Sequence, residues 1–298
     1  LGVRFGAGIQ VAVTMIKVAL IAALVVVGLG AGKGDFGHFA TAIPAPGGIA
    51  GFFGALVAAL WAYDGWNNVS MVAAEIRRPQ RNLPIALVAG TCTVMAIYLL
   101  ANVAYFYVLP AAEVARSDRV AAEMMRAVAG DWGAAAVSVA AMVSIFAALN
   151  GSLLSGARVP YALARGGLFF RSFGYIHPRY RTPAVSILGL GLWGAVLVFS
   201  GRYEELFRYV IFASWILYGM TAAAVLVLRR KRPDLERPYR TPGYPVLPAL
   251  FVAGAAAVTW SSLWNFPRES LLGTALILLG LPYYGWLRRT RTADGVGA

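Results

Sequence analysis

Ala59-Leu60-Trp61-Ala62-Tyr63-Asp64-Gly65-Trp66-Asn67-Asn68 lies in the middle of an apolar run that extends from about Gly48 to Ala74. A helix of roughly 20 apolar residues crosses the ~30 Å hydrocarbon core of a bilayer, so this run is long enough to span and Asp64 falls near mid-depth. A carboxylate there costs several kcal/mol unless it faces a wet cavity or a partner. Gly65, Asn67 and Asn68 are weak helix formers beside it. The simplest reading is a broken helix, with an intact helix and a hydrogen-bonded Asp64 as the alternative. Unwound backbone at membrane depth is tolerated where protein buries it or where it lines a cavity, so the break marks a candidate binding site.

Working outward, the whole chain carries the same signature. Of its 298 residues 59% are hydrophobic and only 13% charged, with a mean hydropathy of +0.68. Soluble domains carry about 25% charged residues. The fold class is therefore all-α, a polytopic helical membrane protein. Eight candidate membrane segments fall at approximately 5–30, 49–75, 83–109, 132–163, 183–200, 205–228, 244–263 and 269–287. Among the connections only 110–131 is long enough for structure of its own. There Ala111 to Ala129 reads as a short amphipathic helix with Val114, Val120, Met124, Met125 and Val128 on its apolar side.

The formal net charge of +13 comes from 26 Lys and Arg against 13 Asp and Glu, and its distribution matters more than its sum. Arg4, Arg77, Arg78, Arg81, the loop Arg165 to Arg181, Arg229-Arg230-Lys231-Arg232 with Arg237 and Arg240, and Arg288, Arg289 and Arg291 fall on alternate loops that share one side. Lys33, Arg116, Arg119, Arg126, Arg202, Arg208 and Arg268 occupy the other. The richer side is expected to be cytoplasmic, which places the C-terminal tail there. Each basic run abuts a membrane segment, so nucleic acid is not an expected partner.

Lys17, close to the midpoint of the first segment, is too far from either end to snorkel comfortably and calls for a polar neighbour or a wet cavity. Arg158 lies about two turns before Arg165 and reads as a snorkelling or structural residue. Cys92 sits in an apolar segment as a buried thiol, and His38 and His177 lie in loops without metal-ligand spacing, so neither a disulfide framework nor a metal site is expected. Gly28-Leu29-Gly30-Ala31-Gly32-Lys33-Gly34 imitates a phosphate loop, but its first glycine is misplaced and Gly34 stands where Ser or Thr must hold magnesium. Gly189, Gly191 and Gly194 allow close helix contact as small residues do in membranes. No Ser-His-Asp set, paired catalytic carboxylates or Cys/His cluster appears, and an enzyme is not expected.

From Trp61-Ala62-Tyr63-Asp64-Gly65-Trp66-Asn67 and Glu75-Ile76-Arg77-Arg78-Pro79-Gln80-Arg81-Asn82-Leu83-Pro84, the chain resembles the amino acid-polyamine-organocation superfamily, and within it the L-type amino acid transporters. The likeness continues through Ile97 to Phe106, Leu149 to Arg158, Ile176-His177-Pro178 and Arg232 to Gly243. It implies twelve transmembrane helices built on two five-helix inverted repeats. Here 5–30 would be the last helix of the first repeat, 49–228 the second repeat, 244–287 two appended helices and 288–298 a cytoplasmic tail, all within one transporter domain. The first four helices, one of which carries the glycine-rich turn for the substrate's carboxylate and amino group, are expected upstream of Leu1.

The resemblance assigns the substrate site to Trp61, Tyr63, Asp64, Gly65 and Asn67. Trp61 matches an aromatic that covers the substrate, carbonyls freed around Tyr63 to Gly65 accept from its ammonium group, and Asn67 resembles a polar site residue. Lys17 matches a lysine that lies where sodium-coupled relatives bind an ion, which implies sodium-independent transport. Asp64 either pairs with a cationic substrate side chain or is structural, since neutral amino acid exchangers also carry Tyr-Asp-Gly-Trp. Tyr98, with Asn102 on the same helix face, and Ser155, with Ser144, Asn150 and Ser152, complete the candidate coupling and gating residues. For Asn150 and Ser152, helix-to-helix hydrogen bonding is the plainer alternative.

The implied protein is a secondary amino acid transporter of the bacterial inner membrane, an exchanger working by alternating access, with no cofactor. Its partners are a small-molecule amino acid substrate and the lipid bilayer. Mammalian members join a single-span glycoprotein through a disulfide, but the cysteine responsible belongs to the part expected upstream of Leu1, so no accessory subunit is evident from these residues. A channel would need a continuous polar stripe, and the chain shows isolated mid-depth polar groups instead. The alternative is a membrane scaffold or half-protein without transport of its own.

Overall fold

A computed structural model describes residues 3–40, 48–200, 203–237 and 239–293. Arg202, Pro238 and the tail after Ala293 lie outside the described residues. The elements are α1 (Val3–Gly30), α2 (Gly48–Ala62), α3 (Asn68–Met71), α4 (Pro79–Val108), α5 (Ala111–Arg116), α6 (Val120–Gly156), α7 (Arg158–Arg165), α8 (Ala184–Ser200), α9 (Tyr203–Lys231), α10 (Val246–Asn265) and α11 (Pro267–Ala293), with short 3-10 turns at Phe36–Ala40, Ala73–Glu75 and Arg171–Gly174. Among the described residues there is no strand.

Each expected membrane segment has its helix, but not all span alone. Among the described residues six helical stretches are long and apolar enough to cross a membrane, and Ala184–Phe199 is an apolar helix just short of that length. The 15 residues of α2 rise only about 22 Å, because the helix stops at Ala62. Large apolar side chains such as Phe146 (74% exposed) and Phe199 (91%) sit on the outside, as in a protein whose solvent is lipid. The molecule is a multi-pass membrane protein of the helical class.

The chain divides into two compact units. In the first, made of 1–44, 65–164 and 171–190, α1, α4 and α6 pack on one another and α3 lies on α4 and α6. Its core joins Ala104, Val108 and Leu109 to Met124, which is fully buried, with Leu24, Val25, Val114, Val120, Met125 and Val128 around them. Gly28 permits the approach of α1, since a Cβ there would stand 3.1 Å from the Met124 sulfur. Burying one such side chain contributes about 1.5–3 kcal/mol in water. The apolar side expected for 111–129 is the side that packs here.

That connection is not one helix, however. Ser117 Oγ accepts a hydrogen bond from the Arg119 amide at 3.1 Å, a local turn that separates α5 from α6. α6 then runs on through an elbow at Gly130, whose φ of 70° and ψ of −163° lie outside the helical region. Such a backbone favours glycine. The carbonyls orphaned before the elbow are met by Lys33, whose Nζ donates to Val128 at 3.0 Å and Ala127 at 3.3 Å.

The second unit comprises 45–64, 165–170 and 191–298. In it α10 packs along α9, α11 on α9 and α10, and α2 on α9 and α10. Val57, Ile211 and Val258 form its buried centre, with Leu60, Trp61 and Trp215 against it.

Candidate functional site

The interruption in the segment expected to break occupies residues 63–67. On its N-terminal side, within the second unit, the last turn of α2 tightens: the Tyr63 amide donates to Leu60 at 3.2 Å and the Asp64 amide to Trp61 at 3.0 Å, both three residues back. Trp61 is half-buried against the Val57–Ile211–Val258 cluster. Asp64 is exposed, and its Oδ1 accepts a hydrogen bond from the Tyr218 hydroxyl at 3.1 Å. Tyr218 belongs to an aromatic group on α9 and α10: its ring meets Trp215 edge-on at 6.1 Å, and Trp215 stacks on Phe251 at 5.9 Å. Nothing local in the sequence marks Tyr218, which lies 154 residues from its partner.

On the C-terminal side, within the first unit, Gly65 has a φ of +97°. A Cβ at Gly65 would meet only Asn68 Nδ2 at 3.4 Å, an ordinary contact, so backbone conformation rather than space selects glycine. The Asn68 amide donates to Gly65 at 3.1 Å, and Ser70 donates to the Asn67 carbonyl through both its amide (2.9 Å) and its Oγ (2.6 Å). The Asn67 side chain is half-buried and makes no hydrogen bond among the described residues. The half-helix that resumes is shorter than expected. Only Asn68–Met71 is α-helical before the 3-10 turn Ala73–Glu75, so its dipole is weak and Asn67 is the polar group it presents.

The expected coupling residues lie on three helices of the first unit. Lys17, half-buried on α1, has no hydrogen-bond or ion-pair partner among the described residues. Seven residues before it, Gln10 accepts a bond from Asn150 Nδ2 of α6 at 3.3 Å, so Asn150 serves helix-to-helix contact. Ser155 is buried and spends its hydroxyl on the Gly151 carbonyl of its own helix at 2.9 Å. Tyr98 offers its carbonyl to Asn102 Nδ2 at 2.8 Å, which turns the Asn102 amide back onto α4. Cys92, expected to be buried, is exposed on α4, where apolar surface facing lipid accommodates it.

Of the two readings of Arg158, the structure shows a structural contact: it begins α7, two residues past the end of α6, and pairs with Glu75 at 3.0 Å.

The amino acid permease model matches residues 1–281. The chain is 34% identical over 296 residues to the serine/threonine exchanger SteT of Bacillus subtilis (strain 168), an alignment covering 97% of this chain and 66% of that protein. It is 32% identical over 292 residues to the b(0,+)-type amino acid transporter 1 of Homo sapiens, covering 95% and 58%. It is 30% identical over 225 residues to the cystine/glutamate transporter of Homo sapiens, covering 76% and 44%. The chain thus spans about two thirds or less of the length of these relatives.

Proposed function

Because the chain belongs to the amino acid permease family, within the amino acid-polyamine-organocation superfamily, we propose that it supplies helices five to twelve of a secondary transporter that exchanges amino acids by alternating access. Relatives named as a serine/threonine exchanger and as an amino acid transporter support exchange of amino acids. The observation that carries the site is the interruption at 63–67, with an exposed carboxylate at Asp64 on its N-terminal side and, on its C-terminal side, an Asn67 side-chain amide without a partner among the described residues.

In this mechanism Trp61 covers the substrate while carbonyls around Tyr63 to Gly65 accept from its ammonium group. Asn67 supplies donors for its carboxylate. Asp64 sets the choice between neutral and cationic side chains, and its bond to Tyr218 orients the carboxylate for that task. Lys17 holds a fixed positive charge where a coupling sodium ion would otherwise sit, so exchange is sodium-independent. Tyr98 and Ser155 belong to the moving wall of the cavity. The arginine-rich loops and the C-terminal end face the cytoplasm of a bacterial inner membrane.

The test is counterflow in proteoliposomes carrying the full reading frame that contains this chain. Saturable uptake of labelled amino acid driven by unlabelled amino acid inside, unchanged when choline replaces sodium, is expected. Uptake rising linearly with concentration would indicate a channel, and a sodium requirement would remove the role given to Lys17.

A further inference from the structure

A single helical turn does not hold itself in place, because nucleation costs more than one hydrogen bond returns. α3 is such a turn, and its side-chain hydrogen bond is local, from Ser70 Oγ to the Asn67 carbonyl at 2.6 Å; at the far end of the segment Asn82 Nδ2 of α4 donates to the Arg77 carbonyl, also at 2.6 Å. Among the described residues 67–78, Glu75 alone reaches by a side-chain hydrogen bond to an element distant in sequence. Arg158 Nε donates to its Oε1 at 3.0 Å and Nη2 to its Oε2 at 3.3 Å. Two parallel bonds from one guanidinium to one carboxylate fix direction as well as distance.

The Arg158 end is itself anchored. Its side chain is 17% exposed, its Nη1 donates to the Leu154 carbonyl of α6, and the preceding Ala157 is fully buried. The guanidinium is therefore seated on α6 before it meets Glu75, and Glu75 closes the segment that begins at Asn67.

We propose that Arg158 and Glu75 are positioning residues for the transport site: the fork between them seats the segment 68–75 on α6 and thereby sets the place of the Asn67 amide. This inference rests on the transporter function proposed above. Neither residue touches substrate. Their effect passes through the half-helix, so substrate affinity should depend on a pair whose nearer member, Glu75, lies eight residues from Asn67 along the chain.

The experiment is a double-mutant cycle in the full reading frame, with Glu75→Gln, Arg158→Gln and the double variant, measured by counterflow and by thermal unfolding of the purified protein. Each single variant is expected to raise the half-saturation concentration about tenfold while maximal exchange falls less, and the double variant is expected to match either single one, since the two residues act as a unit. Arg158→Lys keeps the charge and loses the fork. Its expected rise is about threefold, and it carries the test if Arg158→Gln does not fold. Variants that unfold earlier yet keep the original half-saturation concentration would show a purely structural pair and overturn the inference. Failure of the unsubstituted protein to perform counterflow would overturn the transporter reading and the inference with it. Normal counterflow with unmoved affinity would overturn the inference alone.

Discussion

α2 and α3 flank the interruption at 63–67 along the chain, and opposite forces hold them. α2 is seated by volume: Val57 is buried, and Leu60 and Trp61 lie against Ile211, Val258 and Trp215, with no ion pair in that cluster. α3 and the turn after it are seated by charge and hydrogen bonds, through Ser70, Glu75 and Arg158. The difference teaches where each half is vulnerable. Apolar packing tolerates a change of charge distribution but not a loss of size, whereas a forked ion pair tolerates neither a lost charge nor a lost geometry.

The substitution expected to cost most attacks volume. Trp61→Ala removes a half-buried indole, for about 2 kcal/mol and a thirtyfold or larger loss of substrate affinity in counterflow, while Trp61→Phe stays within about threefold. Equal effects of the two would mean that size is not what α2 depends on. Next comes the joint between the halves. Gly65→Ala forces a side chain into φ +97° at about 1–2 kcal/mol, and an exchange rate lowered about tenfold should accompany a lower unfolding temperature.

Tyr218→Phe probes the side-chain hydrogen bond to Asp64 just past the end of α2. Removing a neutral donor from Asp64 costs about 1 kcal/mol, or about fivefold in affinity, and Asp64→Asn should weaken competition by arginine more than by leucine. Identical losses for both competitors would make Asp64 structural. The smallest effect belongs to Gln10→Ala, which breaks the 3.3 Å bond from Asn150. About 0.6 kcal/mol of stability and no change in transport are expected, because interhelical hydrogen bonds in membranes average that little.

Much of this was legible in advance. The break could be read because Asp64, Gly65, Asn67 and Asn68 are four poor helix formers inside an otherwise apolar run, a contrast that no neighbouring segment shows. The shortness of α3 could not, since Val69 to Ala74 is apolar but for Ser70 and suits a helix. It ends at Val72, whose φ of −109° and ψ of 15° leave the helical region before the 3-10 turn Ala73–Glu75, and nothing in the local sequence marks that residue. Arg158 and Tyr218 were illegible for another reason. Each is defined by a partner 83 or 154 residues away, and local pattern carries no information about such pairs. Arg158 therefore read as a snorkelling or structural residue, with no partner named. Tyr218 did not stand out from other tyrosines in apolar segments.

Lys33 has a mechanical consequence. It lies just past the end of α1, and its ammonium grips the Ala127 and Val128 carbonyls at the Gly130 elbow. α1 and the amphipathic arm of α6 are thus riveted at their ends, so a displacement of that arm is a pull on the helix that carries Lys17. Lys33→Met would cut the rivet. The arm's amides at 122–129 would then exchange hydrogen faster, while those at the middle of α1 would keep their original rates.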